Sequence, residues 1–255
     1  MAQKLKVGAV SYLNTKPLIY GLEQGKMKEE IDLVIDYPAN IASLLAKGGI
    51  DIGLIPVTVI ATLKEPRIIS DFCIGCNGEV ASVCLFSDVE LNEINTVLLD
   101  YQSRTSVELL KILLKEHWKI SPKLVKAAAN YEKDIAGTTA GLIIGDRALQ
   151  QRQRSKYIYD LGSAWKEMTG LPFVFAAWVS NKEIPARFIA DFNNANELGL
   201  KSLDLIVRRQ QDQPYDLNQY YTKNISYRLD KHKQEGMQLF LKKMTANKKM
   251  ALEND

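Results

Sequence analysis

The feature that most constrains this fold is a regular alternation between short apolar segments of strand length and segments whose apolar residues recur with a helical period. Strands are predicted at 4–10, 32–37, 51–57, 68–74, 81–87, 96–100, 123–127, 140–145, 157–161 and 173–180. Helices are predicted at 15–23, 40–46, 106–118, 147–154 and 163–169. Such βαβ alternation predicts the α/β class, with layers of helices on mostly parallel sheets.

The chain changes character after Ser180, where helical patterns replace the alternation and no further strand is predicted. Pro185 is placed to begin a helix and Gly199 to end it. We expect this helical C-terminal part to pack on the domain formed by the N-terminal strands.

Two unusually apolar segments, "ASVCLFS" and "FVFAAWVS", enclose a stretch with a βαβ pattern of its own. They are predicted to carry the chain between two lobes, the first made of residues 1–87 and 176–255 and the second, inserted lobe of residues 88–175. Clefts at domain interfaces are favoured ligand sites, so a ligand is expected between the lobes. A single continuous sheet is the alternative, and periodicity alone leaves it open.

Composition argues against several classes of protein. The 33 basic and 30 acidic residues nearly balance and are spread out, so no nucleic-acid partner is predicted. The N-terminus lacks the apolar segment of a signal peptide, and no stretch reaches the ~18 apolar residues of a membrane span. We therefore expect a cytoplasmic protein without a membrane partner, and three cysteines fit a reducing compartment.

The pair Cys73-Ile-Gly-Cys76 is interpreted as small buried residues on a strand. A redox pair needs a helix N-terminus beneath the first thiol, and a zinc site needs about four ligands. The sequence around these cysteines continues as a turn and a strand, and the two histidines lie in helical patterns elsewhere. Neither a metal nor a cofactor is predicted.

Ligands of α/β proteins bind beyond the carboxyl ends of the strands, which directs attention to the strand-to-helix turns. In the first turn Ser11, Asn14 and Thr15 precede a helix with Pro17 near its start. Capping explains one of these polar side chains, but not three. Asn14 is the best ligand candidate because its amide both donates and accepts hydrogen bonds.

A second turn, "LLDYQSRTS", gathers hydroxyls and backbone N–H groups at the start of a strongly amphipathic helix. Ser103 or Thr105 is needed as a cap, and the excess of donors suits a carboxylate or phosphate. Arg104 either reaches that anion or pairs with Asp100. An anion site and capping alone remain equal alternatives.

Two further turns carry candidates. Ser82 lies inside the apolar segment near the predicted crossover, where a hydroxyl usually bonds to neighbouring backbone. Gly145 and Asp146 stand between a strand and a helix, and an N-cap is the simplest role for Asp146. The sequence lacks a P-loop, G-x-G-x-x-G, H-E-x-x-H and G-x-S-x-G, and none of these turns has a histidine beside a serine or cysteine.

Seven segments, in order, resemble the MqnA family, the chorismate dehydratases of the futalosine route to menaquinone. They are "VSYLNTKPL", "DIGLIPV", "GEVASVCLFS", "LLDYQSRTS", "GLIIGDRAL", "YDLGSAWKEMTGLPFVFAAWV" and "YTKNISYRLD", and they span nearly the whole chain. The resemblance implies a two-lobed fold like the type II periplasmic solute-binding proteins, here cytoplasmic and catalytic. One departure is Ala81, where an arginine often precedes the serine.

Carried over by position, the resemblance implies that Asn14 and Ser82 are catalytic and face the reacting ring of chorismate, while Thr105 and Ser106 hold a carboxylate. The predicted substrate-binding residues are Ser11, Ser103, Thr105, Ser106, Gly145 and Asp146. The implied reaction is loss of water from chorismate to give 3-[(1-carboxyvinyl)oxy]benzoate, catalysed by a carbon–oxygen lyase of menaquinone biosynthesis. Since no protein base is evident, the enolpyruvyl carboxylate of the substrate is our hypothesis for the base.

Two other functions compete with this prediction. A non-catalytic binding protein for a small carboxylate anion would have the same fold, although a missing export signal argues against transport. The ligand-sensing domain of a regulator would need an attached DNA-binding segment, for which no residues remain. The oligomeric state is left open by the sequence, with a homodimer as one option.

Overall fold

The computed structural model describes residues 4–210 and 213–253, and within these ranges it contains eleven strands and eleven α-helices. The strands are β1 (Leu5–Val10), β2 (Ile31–Asp36), β3 (Ile52–Pro56), β4 (Arg67–Cys76), β5 (Val83–Ser87), β6 (Thr96–Leu99), β7 (Lys123–Lys126), β8 (Thr139–Ile144), β9 (Tyr157–Asp160), β10 (Phe173–Ser180) and β11 (Ser226–Arg228). The helices are α1 (Lys16–Tyr20), α2 (Gly25–Glu30), α3 (Pro38–Ala46), α4 (Val57–Ile60), α5 (Arg104–Leu113), α6 (Asp146–Gln151), α7 (Leu161–Thr169), α8 (Ala186–Lys201), α9 (Leu203–Arg208), α10 (Leu217–Gln219) and α11 (Lys231–Glu253).

The chain divides into two compact units, and each is discontinuous in sequence. The first unit contains the residues up to Gly75 together with Val174–Asp230, and the second contains Cys76–Phe173 together with the chain from Lys231 onward. No helix in the described part of the chain is long and apolar enough to cross a membrane.

These boundaries differ from the predicted ones, 1–87 with 176–255 and 88–175, in three places, of which the smallest is that residues 174 and 175 belong to the first unit. Residues 76–87 belong to the second unit because β5 pairs with β8 and β9. The helix α11 also belongs there because Phe240 packs edge-on against Phe173 and Trp165, with ring centroids 5.0 and 6.2 Å apart. The unit to which α11 belongs is decided by hydrophobic packing between residues distant in sequence. The helical period of the sequence predicts the helix but not the sheet on which it packs.

The first unit is built on a six-stranded sheet with the order β11-β4-β10-β3-β1-β2. The strand β1 runs parallel to β2 and β3, whereas β10 runs antiparallel to β3. Trp178 of β10 is fully buried, packs edge-on against Phe192 of α8 and donates through Nε1 to Asn196 Oδ1 at 3.1 Å. These contacts fix α8 on the sheet.

The second unit is built on a five-stranded sheet, the second sheet, with the order β7-β6-β8-β5-β9. The strands β6, β7 and β8 are parallel, and β5 runs antiparallel to both of its neighbours, β8 and β9. All four residues from Cys84 to Ser87 are fully buried, as their apolar sequence predicts for a central strand.

All ten predicted strands are present, but the prediction of no strand after Ser180 is wrong. The missed strand, β11, has only three residues and pairs antiparallel with β4. Gly199 was also expected to end a helix, yet α8 continues through it to Lys201. A Cβ atom on Gly199 would lie 1.7 Å from the carbonyl oxygen of Pro17, so this glycine permits close packing of α8 on α1.

Candidate functional site

The carboxyl edge of the second sheet brings together most of the predicted site residues. The strands β6, β8 and β9 end at this edge and the antiparallel β5 begins there, because Val83 pairs with Ile144 and Cys84 pairs with Asp160. The edge is therefore formed by the segments 80–82, 100–106, 145–146 and 160–163. Ligands of open α/β sheets bind at such edges.

Ser82 is buried and stands at the end of a tight turn. Its N–H donates to Val80 O at 2.7 Å, and its Oγ also donates to that carbonyl oxygen at 3.4 Å. Between them Ala81 has φ 61°, a left-handed conformation that is unfavourable for a residue with a Cβ atom. Ser82 O accepts from Gly145 N at 2.8 Å, so the turn lies against the start of α6.

Asp160 holds this turn from the neighbouring strand. Its Oδ2 accepts from Ala81 N at 2.8 Å, and Val80 N donates to Oδ1 at 3.1 Å and Oδ2 at 3.2 Å. The same carboxylate caps α7 by accepting from Ser163 N at 3.0 Å. Burial raises the pKa of Asp160, while these three backbone donors favour the ionised form and oppose the increase.

The segment 100–106 combines a cap with buried hydroxyls. Ser103 is the N-cap of α5, because its Oγ accepts from Ser106 N at 3.0 Å, which confirms the capping role predicted for Ser103 or Thr105. The Thr105 and Ser106 side chains are buried in the first turn of the helix.

The ion-pair partner of Asp100 is Arg147, whose Nη2 lies 2.6 Å from Oδ2, and not Arg104, for which pairing with Asp100 was one of the two roles considered. Asp100 also accepts from Gln102 N at 2.7 Å and from Tyr131 Oη at 2.8 Å. Burial raises the pKa of Asp100, although Arg147 opposes this effect. The network ties the loop after β6 to α6 and thereby fixes the beginning of α5.

Gly145, rather than Asp146, occupies the N-cap position of α6. Its φ of 65° and ψ of −147° belong to a region that is essentially restricted to glycine. Asp146 is the first helical residue, so the N-cap predicted for it is wrong in position. The helix starts one residue earlier because only Gly145 can make the sharp turn out of β8.

In the first unit, Ser11 and Asn14 follow β1. Ser11 is exposed, and Asn14 lies in a short 3₁₀ turn, Leu13–Thr15, that leads into α1. Neither this turn nor α1 has a side-chain cap, so the capping role considered for these residues is wrong. Thr15 Oγ1 instead donates to Asn14 Oδ1 at 3.3 Å, which orients the Asn14 amide.

Tyr227 supports the same turn from β11. Its Oη donates to the backbone oxygen of Asn14 at 3.0 Å. Burial, and then the neighbouring Tyr220 and Tyr221, raise the pKa of Tyr227, so it remains a neutral donor. Tyr227 thus connects the short strand β11 to the backbone of Asn14.

The predicted site residues fall into two groups. Ser82, Ser103, Thr105, Ser106, Gly145 and Asp146 meet at the carboxyl edge of the second sheet, whereas Ser11 and Asn14 belong to the first unit. Asp160 was missed, although "YIYDLGSAW" is another strand-to-helix turn and the same search would have found it. Tyr227 gave no such signal, since a three-residue strand is too short to show a period.

The cysteines follow their predicted structural role. Cys73 and Cys76 are free, buried and both on β4. Burial raises the pKa of the Cys76 and Cys84 thiols, with the nearby Asp160 carboxylate adding to the effect. Among the described residues, no group of three His, Cys, Asp or Glu side chains is arranged to hold a metal ion.

Comparisons of sequence identify relatives over most of the chain. The chorismate dehydratase of Thermus thermophilus is 29% identical over 260 residues, which cover 92% of this chain and 93% of that protein. The chorismate dehydratase of Campylobacter jejuni is 32% identical over 175 residues, or 66% of this chain and 64% of that protein.

Comparisons of structure confirm the predicted fold class. A protein from Archaeoglobus fulgidus superposes with a TM-score of 0.68 at 13% identity, covering 98% of this chain and 99% of that one. The periplasmic aliphatic sulphonate binding protein of Escherichia coli superposes with a TM-score of 0.62 at 14% identity, covering 99% and 89%. A Candida albicans protein described as having the generic periplasmic binding protein fold gives 0.63 at 12% identity, covering 96% and 90%.

A family model supplies the classification. The model for menaquinone biosynthesis matches residues 5–246 and so includes both units and the segments at the carboxyl edge of the second sheet. The match therefore covers nearly the full length of the chain, including both units and all of the turns described above. The protein belongs to the menaquinone biosynthesis family.

Proposed function

We propose that this protein is a chorismate dehydratase, a carbon–oxygen lyase that removes water from chorismate to give 3-[(1-carboxyvinyl)oxy]benzoate for menaquinone biosynthesis. The observation that carries the proposal is the similarity to the Thermus thermophilus enzyme, which extends over 92% of this chain. We place the enzyme in the cytoplasm. We also propose that it forms a homodimer, and light scattering of the purified protein tests this oligomeric state.

The driving force for the proposed reaction is aromatisation of the substrate ring. Loss of the hydrogen on C3 and the hydroxyl on C4 makes the ring aromatic, so the overall step is strongly downhill and the barrier lies in removing the C3 proton. Negative charge formed at C3 spreads through the diene into the ring carboxylate. Donors that bind this carboxylate therefore bind the transition state more strongly than the substrate.

The first turn of α5 is the group of donors that we assign to a carboxylate of chorismate. The first N–H groups of a helix have no acceptor within the helix, and the helix dipole favours an anion there. Ser103 already accepts the Ser106 N–H, so we assign the contacts to the N–H group of Arg104 and to the hydroxyls of Thr105 and Ser106. One such preorganised donor contributes about 10²–10³ in rate.

Ser82 and Asn14 are assigned to the reacting groups. The enolpyruvyl carboxylate of chorismate acts as the base in this proposal, and a hydroxyl and an amide orient it and assist departure of hydroxide. Two observations support fixed positions for these side chains: the turn that presents Ser82 is held by three backbone hydrogen bonds to Asp160, and the Asn14 amide accepts from Thr15. The remaining assignments, Ser11, Gly145 and Asp146, are substrate contacts.

The test is turnover of chorismate by the purified protein, with the product identified by mass spectrometry. We expect Asn14→Ala and Ser82→Ala to reduce kcat by about 10²–10³ with a much smaller change in KM. Ser87→Ala is the matched control, because Ser87 is a buried serine at the far end of β5, the strand that follows Ser82, and its hydroxyl accepts from Val89 N at 3.1 Å. Wild-type turnover in both site variants would refute the assignment.

A binding protein for a small carboxylate anion is the second candidate, favoured by the structural similarity to a sulphonate-binding protein. That similarity is at 14% identity and concerns the fold. The same incubation separates the candidates: unchanged chorismate together with tight binding, measured by calorimetry, would favour the binding protein.

A further inference from the structure

The turn that presents Ser82 is strained. Ala81 has φ 61° although it carries a Cβ atom, and the hydrogen bond from Ser82 N to Val80 O spans only two residues. A turn with this hydrogen bond and a positive φ at its central residue is rare. Such backbone persists only where the surrounding structure imposes it, and strained backbone is concentrated at functional sites.

Two side chains bind the backbone of this turn. Asp160 accepts the N–H groups of Val80 and Ala81, at 2.8 to 3.2 Å. Arg152 donates to Ala81 O at 3.3 Å and pairs with Glu79 at 2.6 Å. Asp160 is the only one of these groups that binds two successive N–H groups, which a carboxylate does well because it only accepts.

Tight packing adds to the hold on the turn. A Cβ atom on Gly162 would lie 2.4 Å from Gly78 O and 3.2 Å from Asp160 Oδ1. The segment leading into the turn therefore passes directly over the N-terminus of α7, where Asp160 also caps Ser163. The Asp160 carboxylate thus fixes the position of the turn relative to α7, in addition to the conformation of the turn.

We propose that Asp160 is a positioning residue for the reaction: its carboxylate holds residues 80–82 in the strained turn and thereby fixes the place from which the Ser82 hydroxyl acts. The proposal rests on the proposed function for its effect on turnover. Without the carboxylate, Ala81 relaxes to negative φ, the hydrogen bond from Ser82 N is lost, and the Ser82 hydroxyl moves.

Asp160→Asn tests this role, because the variant keeps the side-chain size but replaces one acceptor oxygen with a donor. We expect kcat for chorismate to fall about tenfold or more, no further than in Ser82→Ala, with KM nearly unchanged. The decisive measurement is the double variant: if Asp160 acts through Ser82, Asp160→Asn costs less than about twofold in the Ser82→Ala background. A full, multiplicative loss in that background would overturn the proposal.

Asp216→Asn is the matched control, since Asp216 also accepts two successive backbone N–H groups, from Asn218 at 2.8 Å and Gln219 at 3.1 Å. We expect its turnover to equal that of the wild type. A loss in Asp216→Asn as large as in Asp160→Asn would show that removing any such cap impairs the enzyme, and would overturn a specific role for Asp160.

Amide hydrogen exchange provides a second measurement that needs no turnover. In the wild type, we expect the N–H groups of Val80 and Ala81 to be protected, and Asp160→Asn to lose this protection while the strands keep theirs. Rapid exchange of both N–H groups in the wild type would overturn the proposal even if the variant does not fold. Wild-type protein that shows this protection but leaves chorismate unchanged would refute the proposed function and retain the positioning of the turn.

Discussion

Gly199→Ala tests whether the contact between α8 and α1 requires a residue without a side chain. A Cβ atom at this position would lie 1.7 Å from Pro17 O and 2.9 Å from Pro17 C. Separating these atoms to an ordinary contact of 3.4 Å requires the two helices to move apart by about 1.7 Å, in an interior that is packed as densely as a crystal. The contact partner is backbone, so no side-chain rotation can relieve it.

The expected cost follows from two opposing effects. Overpacking of a well-packed site costs about 1–3 kcal/mol, and a rigid backbone partner places this site at or above the upper end. Alanine returns about 1 kcal/mol because it is a better helix former than glycine. The net loss of about 2 kcal/mol corresponds to a decrease in Tm of about 4–8 °C for a chain of this size.

Thermal unfolding followed by circular dichroism measures this effect, and Asn194→Ala is the control. Asn194 is exposed on the same helix, so the control introduces the same residue without a new contact and should keep or raise Tm. Equal melting temperatures for Gly199→Ala and Asn194→Ala would refute the reasoning from the contact distance. We also expect kcat/KM to fall in Gly199→Ala, because Pro17 is the second residue of α1, the helix that begins two residues after Asn14.

Two further predictions concern ionisable groups. Burial raises the pKa of Cys76 and Cys84, so the folded protein should resist a thiol reagent at mildly alkaline pH and the unfolded protein should react; rapid labelling of both native thiols would contradict this. Burial tends to raise the pKa of Asp51, but Lys182 at 2.6 Å and the Lys6 N–H lower it overall. A carboxylate with a lowered pKa stabilises the fold only while it is ionised. In urea unfolding at pH 7, Asp51→Asn should therefore lower the free energy of unfolding by about 0.5–1 kcal/mol. This difference from the wild type should shrink as the pH falls below about 4. A difference that is the same at both pH values would argue against the ion pair.

The sequence predicted the strands well because each one has a strong local signal. The strands β5 and β10, which are buried except for the half-buried Ala176, are continuous apolar segments, and both were predicted within two residues of their observed bounds. The short strand β11 carries no such signal and forms only because β4 offers it an edge. Gly199 shows the same limit, since its sequence context fits a helix end, whereas the close approach of Pro17 O, distant in sequence, explains why α8 has a glycine at this position.

Prediction of the candidate site was limited in a different way. Searching strand-to-helix turns identified Ser82 and the segment 103–106, because the sheet edge is defined by strand order and direction. The search could not reveal that Ala81 adopts positive φ or that Asp160 accepts its N–H, since both depend on the antiparallel pairing of β5 with β9. Local patterns indicate which turns matter, and tertiary pairing determines which side chains hold them.

The discontinuity of the two units has a consequence for synthesis of the chain. The strand β3 must pair with β10, which emerges from the ribosome only after the segment Cys76–Phe173 has been made. Until then, the edge of β3 lacks its native neighbour, and an unpaired apolar edge can pair with other chains. The second unit is likewise incomplete until α11 has been made, because Phe240 of this helix packs against Trp165. Newly made chains are thus expected to be most prone to aggregation late in translation, and to need a chaperone most at that stage.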